Sequence, residues 1–127
     1  ARGAAAAGTV MCLSTLATST IEEVAEASGD GPRWFQLYWS PDRGVARDVV
    51  ERAEAAGFTA LLLTVDLPEP VAVSATAHGF EIPEEIPVPI FLALAENVGA
   101  ISPTDINWAV DRSLTWRDLE WLRSVSP

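Results

Sequence analysis

Three short apolar runs, separated by two helical patterns, constrain this chain more than any other feature. Thr9–Leu13 (TVMCL), Trp34–Trp39 (WFQLYW) and Thr59–Val65 (TALLLTV) have strand length and β-branched or aromatic content. The first suits a strand buried on both faces. Between the first two runs, Thr20 and Glu23 have capping-box spacing, which predicts a helix over Ile21–Ala27. Ser28-Gly29-Asp30-Gly31-Pro32 then supplies turn chemistry. Between the second and third, Ser40-Pro41 predicts a helix start, with Ser as cap and Pro at the first helical position. Val45, Val49, Val50, Ala53 and Ala56 recur on one face of that helix, and Gly57 ends it. Such β-α-β-α-β alternation with short connections predicts an α/β fold with a parallel sheet. Parallel sheets of this kind gather ligands at the carboxyl ends of their strands. Ser14, Gln36, Tyr38, Thr64 and Asp66 all fall at or near those ends. The two-residue alternation of a strand puts Gln36 and Tyr38 on the same side.

The flanks are less regular. Residues 1–7 are Ala-rich and read as a helix stopped by Gly8. Arg2 followed by apolar residues also imitates a signal peptide, but Gly8 splits that stretch where a helix would end and a strand begin. Residues 67–114 are Pro-rich without a strong period, and Ile90–Ala95 within them fits strand or helix. Thr115 with Asp118 forms a second capping box, followed by the apolar helical set Trp116, Leu119, Trp121 and Leu122 up to Ser124. The reading is one domain: a βαβαβ core over 1–66, a loop- or lid-like segment over 67–114 and a helix over 115–124.

Composition narrows the function classes. The chain has 127 residues, 49% hydrophobic, which is enough for one buried core. Its 18 acidic residues outweigh 8 basic ones, all Arg, for a net charge of −10. A surface this acidic repels phosphate backbones and anionic lipid heads, so neither nucleic acid nor a membrane surface is an expected partner. No apolar run reaches the ~18 residues of a bilayer span. One Cys and one His exclude an internal disulfide and a cysteine-based zinc site, and predict no metal and a reducing, cytoplasmic setting. Cys12, mid-strand, reads as a buried inert thiol. His78 beside Gly79 reads as a loop residue, and the five Trp mostly as packing groups. Glu22-Glu23 and Glu84-Glu85 read as a helix N-terminus and a loop rather than a metal site.

Four ordered segments carry a resemblance. Residues 9–24 (TVMCLSTLATSTIEEV) resemble the third-strand segment of the FMN-dependent α-hydroxy acid oxidoreductases, which include glycolate oxidase, lactate oxidase and lactate monooxygenase. Residues 33–38 (RWFQLY) with Asp42-Arg43 resemble that family's next strand and helix. Residues 51–66 (ERAEAAGFTALLLTVD) resemble the strand after it, and residues 111–124 (DRSLTWRDLEWLRS) the helix before its fifth strand. The resemblance implies part of a (β/α)8 barrel that binds FMN and oxidises a small 2-hydroxy acid to a 2-oxo acid. By motif position, Ser14, Gln36 and Thr64 would contact FMN and the Tyr38 hydroxyl would face the substrate. Asp66 would orient and charge-stabilise the catalytic His.

The same resemblance implies what the segment does not supply. The family's flavin-contacting Lys, its catalytic His and a neighbouring substrate Arg lie further along, and this chain contains no Lys. After the strand-four Asp the family has a Gly-Arg-Arg cluster, where this chain reads Asp66-Leu67-Pro68-Glu69-Pro70-Val71 and has no Arg between Arg52 and Arg112. A bidentate guanidinium clamp has no substitute in Val or Ser. The expected function is therefore a segment of an FMN-dependent oxidoreductase, inactive alone. The alternative is a non-catalytic half-barrel that covers its open edges by pairing with another chain or with itself as a homo-oligomer. A sugar-phosphate barrel is disfavoured by the lack of a Gly-rich phosphate loop.

Overall fold

Alternate residues of three parallel strands sort the side chains of this chain onto two unlike faces. The computed structural model describes residues 1–66, 83, 86, 88–95, 111 and 113–126. The strands are β1 (Met11–Ser14), β2 (Arg33–Tyr38) and β3 (Leu61–Thr64), side by side in that order. Both pairings are parallel, with Ser14 opposite Gln36 and Tyr38 opposite Thr64. The helices are α1 (Arg2–Ala6), α2 (Ile21–Ser28), α3 (Arg43–Ala55), α4 (Pro89–Ala95) and α5 (Trp116–Val125). The β-α-β-α-β order and parallel sheet are those read from the sequence.

Local chemistry sets the helix starts. The Thr20 hydroxyl accepts from the Glu23 N–H at 3.1 Å, and the Glu23 carboxylate accepts the Thr20 N–H at 2.8 Å. The expected start of α3 at Ser40-Pro41 is corrected. Asp42 is the cap, and its Oδ1 accepts the N–H groups of Gly44 and Val45 at 2.8 and 3.3 Å. A carboxylate beside the positive end of a helix outcompetes a hydroxyl two residues earlier. Ser40 Oγ instead accepts the Asp42 N–H at 3.2 Å and shapes the approach to the helix. At the far end of the sheet, Arg33 ties two helix exits together. Its guanidinium donates to Ala56 O at 3.1 Å, Gly29 O at 2.7 Å and Gly31 O at 3.1 Å. Gly57 has φ 75°, and a Cβ there would sit 2.8 Å from that guanidinium.

The core lies between the sheet and α2, α3 and α5. Leu13, Phe35, Leu37 and Trp39 are at most 2% exposed and pack with Ile21, Val24, Val49, Val50, Ala53 and Leu122. Ala46 joins the buried face of α3, whereas Val45 and Ala56 are only partly covered. Ile90–Ala95 resolves as helix within α4, with Val88 and Ile90 buried. The remainder of 67–114 apart from residues 83, 86, 88, 89, 111, 113 and 114 lies outside the described residues, and with it His78, Glu84-Glu85 and the segment after Asp66.

α5 is held by a clamp on Arg43. The guanidinium bridges Asp111 at 3.2 Å and Asp118 at 2.9 Å, and stacks 4.4 Å from the Trp39 ring. Trp39 meets Trp121 edge to face at 5.3 Å. Two Trp residues depart from the packing role expected of them. Trp116 is 87% exposed, because it opens the helix about 120° around from Leu122, away from the sheet. Trp34 is 39% exposed, because it sits on the face of β2 that no described helix covers.

Candidate functional site

The uncovered face carries Cys12, Ser14, Trp34, Gln36, Tyr38, Leu62 and Thr64, which share one side by register and alternation. Expectations of full burial fail here. β1 is buried on one face only, and Cys12 is exposed. Neighbouring atoms still withdraw enough water from this thiol to push its pKa up. No described helix packs over these residues, which is why their alternation with Leu13, Phe35 and Leu37 separates exposed from buried so sharply.

Three of the five residues singled out in the sequence form one hydrogen-bonded chain across the three strands. Ser14 Oγ donates to Gln36 Oε1 at 3.0 Å, and Gln36 Nε2 donates to Thr64 Oγ1 at 2.8 Å. Ser14 Oγ also accepts the Leu16 N–H at 3.1 Å. The bonding leaves a definite remainder. Among the described residues Ser14 has spent its proton, whereas Gln36 keeps one amide N–H and Thr64 keeps its hydroxyl proton. The rim therefore offers two donors to whatever lies against the open face. Tyr38 stands beside Thr64 in register, half-buried, on the same face. Asp66 lies two residues beyond β3 and is exposed.

Sequence reasoning passed over Thr15. It lies one residue past β1, is fully buried, and makes bonds only to Gln36 and Tyr38 among the described residues. It belongs to the hydroxyl-rich run Ser14–Thr20, and nothing in the spacing separated it from its neighbours. A groove of about 510 Å³ lies elsewhere, at the amino end of β3, lined by Val50, Phe58, Leu61, Leu119 and Leu122. It holds none of the five candidate residues. Among the described residues no cluster of His, Cys, Asp or Glu could hold a metal ion, and no helix is long and apolar enough to cross a membrane.

Comparison with known proteins supplies a frame for this rim. The family model described as FMN-dependent dehydrogenase matches residues 1–127. Glycolate oxidase 1 of Oryza sativa subsp. indica is 43% identical over 133 residues, covering 99% of this chain and 36% of that protein. The 2-hydroxyacid oxidase of Dictyostelium discoideum is 40% identical over 93% of this chain and 31% of its own length. Among solved structures, a lactate oxidase from Pediococcus acidilactici superposes with TM-score 0.81 at 26% identity, over 98% of this chain and 32% of that one. An (S)-mandelate dehydrogenase superposes with TM-score 0.77 at 30% identity, over 100% of this chain and 37% of that one. The chain thus spans about a third of the length of the relatives it matches.

Proposed function

Since this chain belongs to the FMN-dependent dehydrogenase family, we propose that its open sheet face is one wall of a flavin site in an FMN-dependent (S)-2-hydroxy acid oxidoreductase. The observation that carries this is the Ser14–Gln36–Thr64 chain and the two protons it leaves over. The isoalloxazine ring presents carbonyl oxygens and ring nitrogens along its polar edge, and a row of fixed donors matches such an acceptor edge. The residues present fit the group on that side. Bound FMN supplies the two-electron acceptor for conversion of a 2-hydroxy acid to a 2-oxo acid. Gln36 and Thr64 then hold the ring edge, and Ser14 holds Gln36. Tyr38, next in line on the same face, directs its hydroxyl toward the small 2-hydroxy acid. Asp66, just beyond, orients the imidazole of the base and stabilises its charged form.

The 127 residues supply this wall and not the whole reaction. They contain no Lys to contact the flavin, and their one His, His78, follows a segment that departs from the family pattern. We infer that the chain alone does not turn over substrate. The acidic surface and free Cys12 thiol fit a reducing, cytoplasmic setting without nucleic acid or membrane partners. The test is a ¹⁵N NMR titration of the chain with FMN, followed by L-lactate and glycolate. Shifts centred on the Gln36 side-chain amide and Thr64 are expected, with no bleaching of the flavin. Shifts confined to other regions would remove the site assignment, and substrate-dependent bleaching would remove the inactivity.

A second reading keeps one observation of its own. Trp34 and Leu62 are each 39% exposed on the open face, which suits a half-barrel that pairs with a second copy. Sedimentation separates the two: a monomer that does not bind the dye ANS counts against pairing.

A further inference from the structure

A buried hydroxyl just past the end of β1, bonded among the described residues only to Gln36 and Tyr38 of β2, calls for an explanation. Thr15 is 0% exposed. Its Oγ1 donates to Gln36 O at 2.6 Å and accepts the Tyr38 N–H at 3.2 Å. Its own N–H points between Gln36 O at 3.1 Å and Gln36 Oε1 at 3.3 Å. In a regular parallel ladder the Tyr38 N–H would go to the Thr15 carbonyl. Here β1 turns away, with the Ala17 N–H donating to Ser14 O at 3.0 Å, and the Thr15 hydroxyl takes the place of the departing carbonyl. The ladder is extended one rung past the end of β1 by a side chain.

That rung has two consequences for the candidate site. It keeps β2 in register through Gln36 and Tyr38, the two residues of β2 that face the rim. It also fixes which way the Gln36 amide faces. Only an acceptor can stand against the Thr15 N–H, so Oε1 is turned to Ser14 and Thr15 and the NH₂ to Thr64. Reversing the amide would set N–H against N–H and leave the rim offering an oxygen instead of a donor.

We propose that Thr15 is a positioning residue of this site, its hydroxyl holding Gln36 and Tyr38 in place from the buried side of the sheet. The functional part rests on the reading of the rim as a flavin edge; the structural part does not. The experiment compares Thr15→Val and Thr15→Ser in the ¹⁵N-labelled chain by amide hydrogen exchange, side-chain amide shifts and FMN titration. In Thr15→Val, which leaves the Tyr38 N–H without its acceptor, the Tyr38 amide exchanges about tenfold or more faster relative to Phe35. Phe35 is the internal standard, because its N–H donates to Ala60 O on the β3 side. The Gln36 side-chain protons move toward free-amide positions, and FMN binds about tenfold more weakly, in keeping with one lost hydrogen-bonded contact. Thr15→Ser restores all three.

Unchanged Tyr38 exchange in Thr15→Val overturns the proposal, as does a Ser variant no better than Val. If Thr15→Val does not fold, Thr15→Ser decides: wild-type Tyr38 exchange and Gln36 shifts support the rung, and their loss refutes it. If the wild-type chain shows no FMN-induced shift at Gln36, the flavin reading fails while the exchange data still judge Thr15.

Discussion

The two faces of one small sheet follow opposite rules. On the helix-covered face, Leu13, Thr15, Phe35, Leu37 and Trp39 are at most 2% exposed. On the other face, Cys12, Trp34 and Leu62 stand exposed between Ser14, Gln36 and Thr64. The residues alternate along the same strands and point to opposite sides of the sheet. The covered face supplies the burial that holds the fold. The open face gains little stability from its side chains, and its polar groups bond each other in a way that leaves donors over. The faces meet at Thr15, whose buried hydroxyl acts on the strand that carries the open-face residues.

The largest expected effect comes from exchanging the faces' roles in one pair of neighbours. Phe35→Ala removes a fully buried ring that packs edge to face on Phe58 at 6.1 Å. Urea denaturation should register about 3–5 kcal/mol of destabilisation, the usual range for such a core truncation. Trp34→Ala, one residue away, should cost below about 1 kcal/mol, because the larger side chain lies on the uncovered face. Equal losses would mean that the open face is covered in solution.

Much of this division was legible in the sequence, and the part that was not has a physical cause. Alternation in WFQLYW separated Gln36 and Tyr38 from Phe35 and Leu37, and capping boxes placed Thr20 and Thr115 before their helices. The fold and the shared edge followed from these. Alternation says that two faces differ without saying which one is covered. An apolar run such as TVMCL looks the same whether its second face meets a helix or stays open, so its pattern alone points Cys12 to the core. Trp116 misled similarly, since helical spacing marks a set of positions and not where the set ends. Thr15 was invisible because a hydroxyl that replaces a backbone carbonyl leaves no period behind it.

The covered face should also be the one that senses acid. Arg43 stacks on Trp39 and joins Asp111 and Asp118, which tie α5 to that side. Arg43→Met should lose about 1 kcal/mol of stacking stabilisation, read by thermal or urea denaturation. The Ser113 hydroxyl and N–H hold the Asp111 carboxyl below the usual carboxylate range, with Arg43 adding to the effect. The Thr115 N–H and hydroxyl do the same for Asp118. A carboxyl with a lowered folded-state pKa contributes stability above its unfolded pKa and loses it as pH falls through the folded one. The melting temperature should therefore hold steady across neutral and mildly acidic pH and drop only below the ordinary carboxylate range. Arg43→Met should make that drop smaller. A drop of unchanged size would assign the acid sensitivity to other carboxyls.

On the open face, function and stability should separate. Gln36→Met keeps the volume and removes the bonds to Ser14 and Thr64. Stability should change by less than about 1.5 kcal/mol, since half-exposed groups regain water when a bond is lost. The FMN-induced shift at Thr64 should disappear. A large loss of stability would class the hydrogen-bonded chain with the core and against a ligand rim.

The smallest expected effect is chemical. Cys12 is the only thiol, and it is exposed on the face that no described helix covers. A thiol inside the core reacts only when the protein opens, so its alkylation rate rises with urea well before the unfolding transition. Cys12 should instead react with iodoacetamide at a rate flat in urea up to the transition. Its raised pKa lowers the thiolate fraction at neutral pH. The rate should thus be slower than that of a free thiol at pH 7, and keep climbing with pH beyond the point where a free thiol levels off. Protein concentration supplies the sharper arm. A rate independent of concentration leaves the face open in the isolated chain, as a wall awaiting its cofactor would be. A rate that falls as the chain is concentrated means that a second copy covers Cys12, and the pairing reading then takes the face from the flavin.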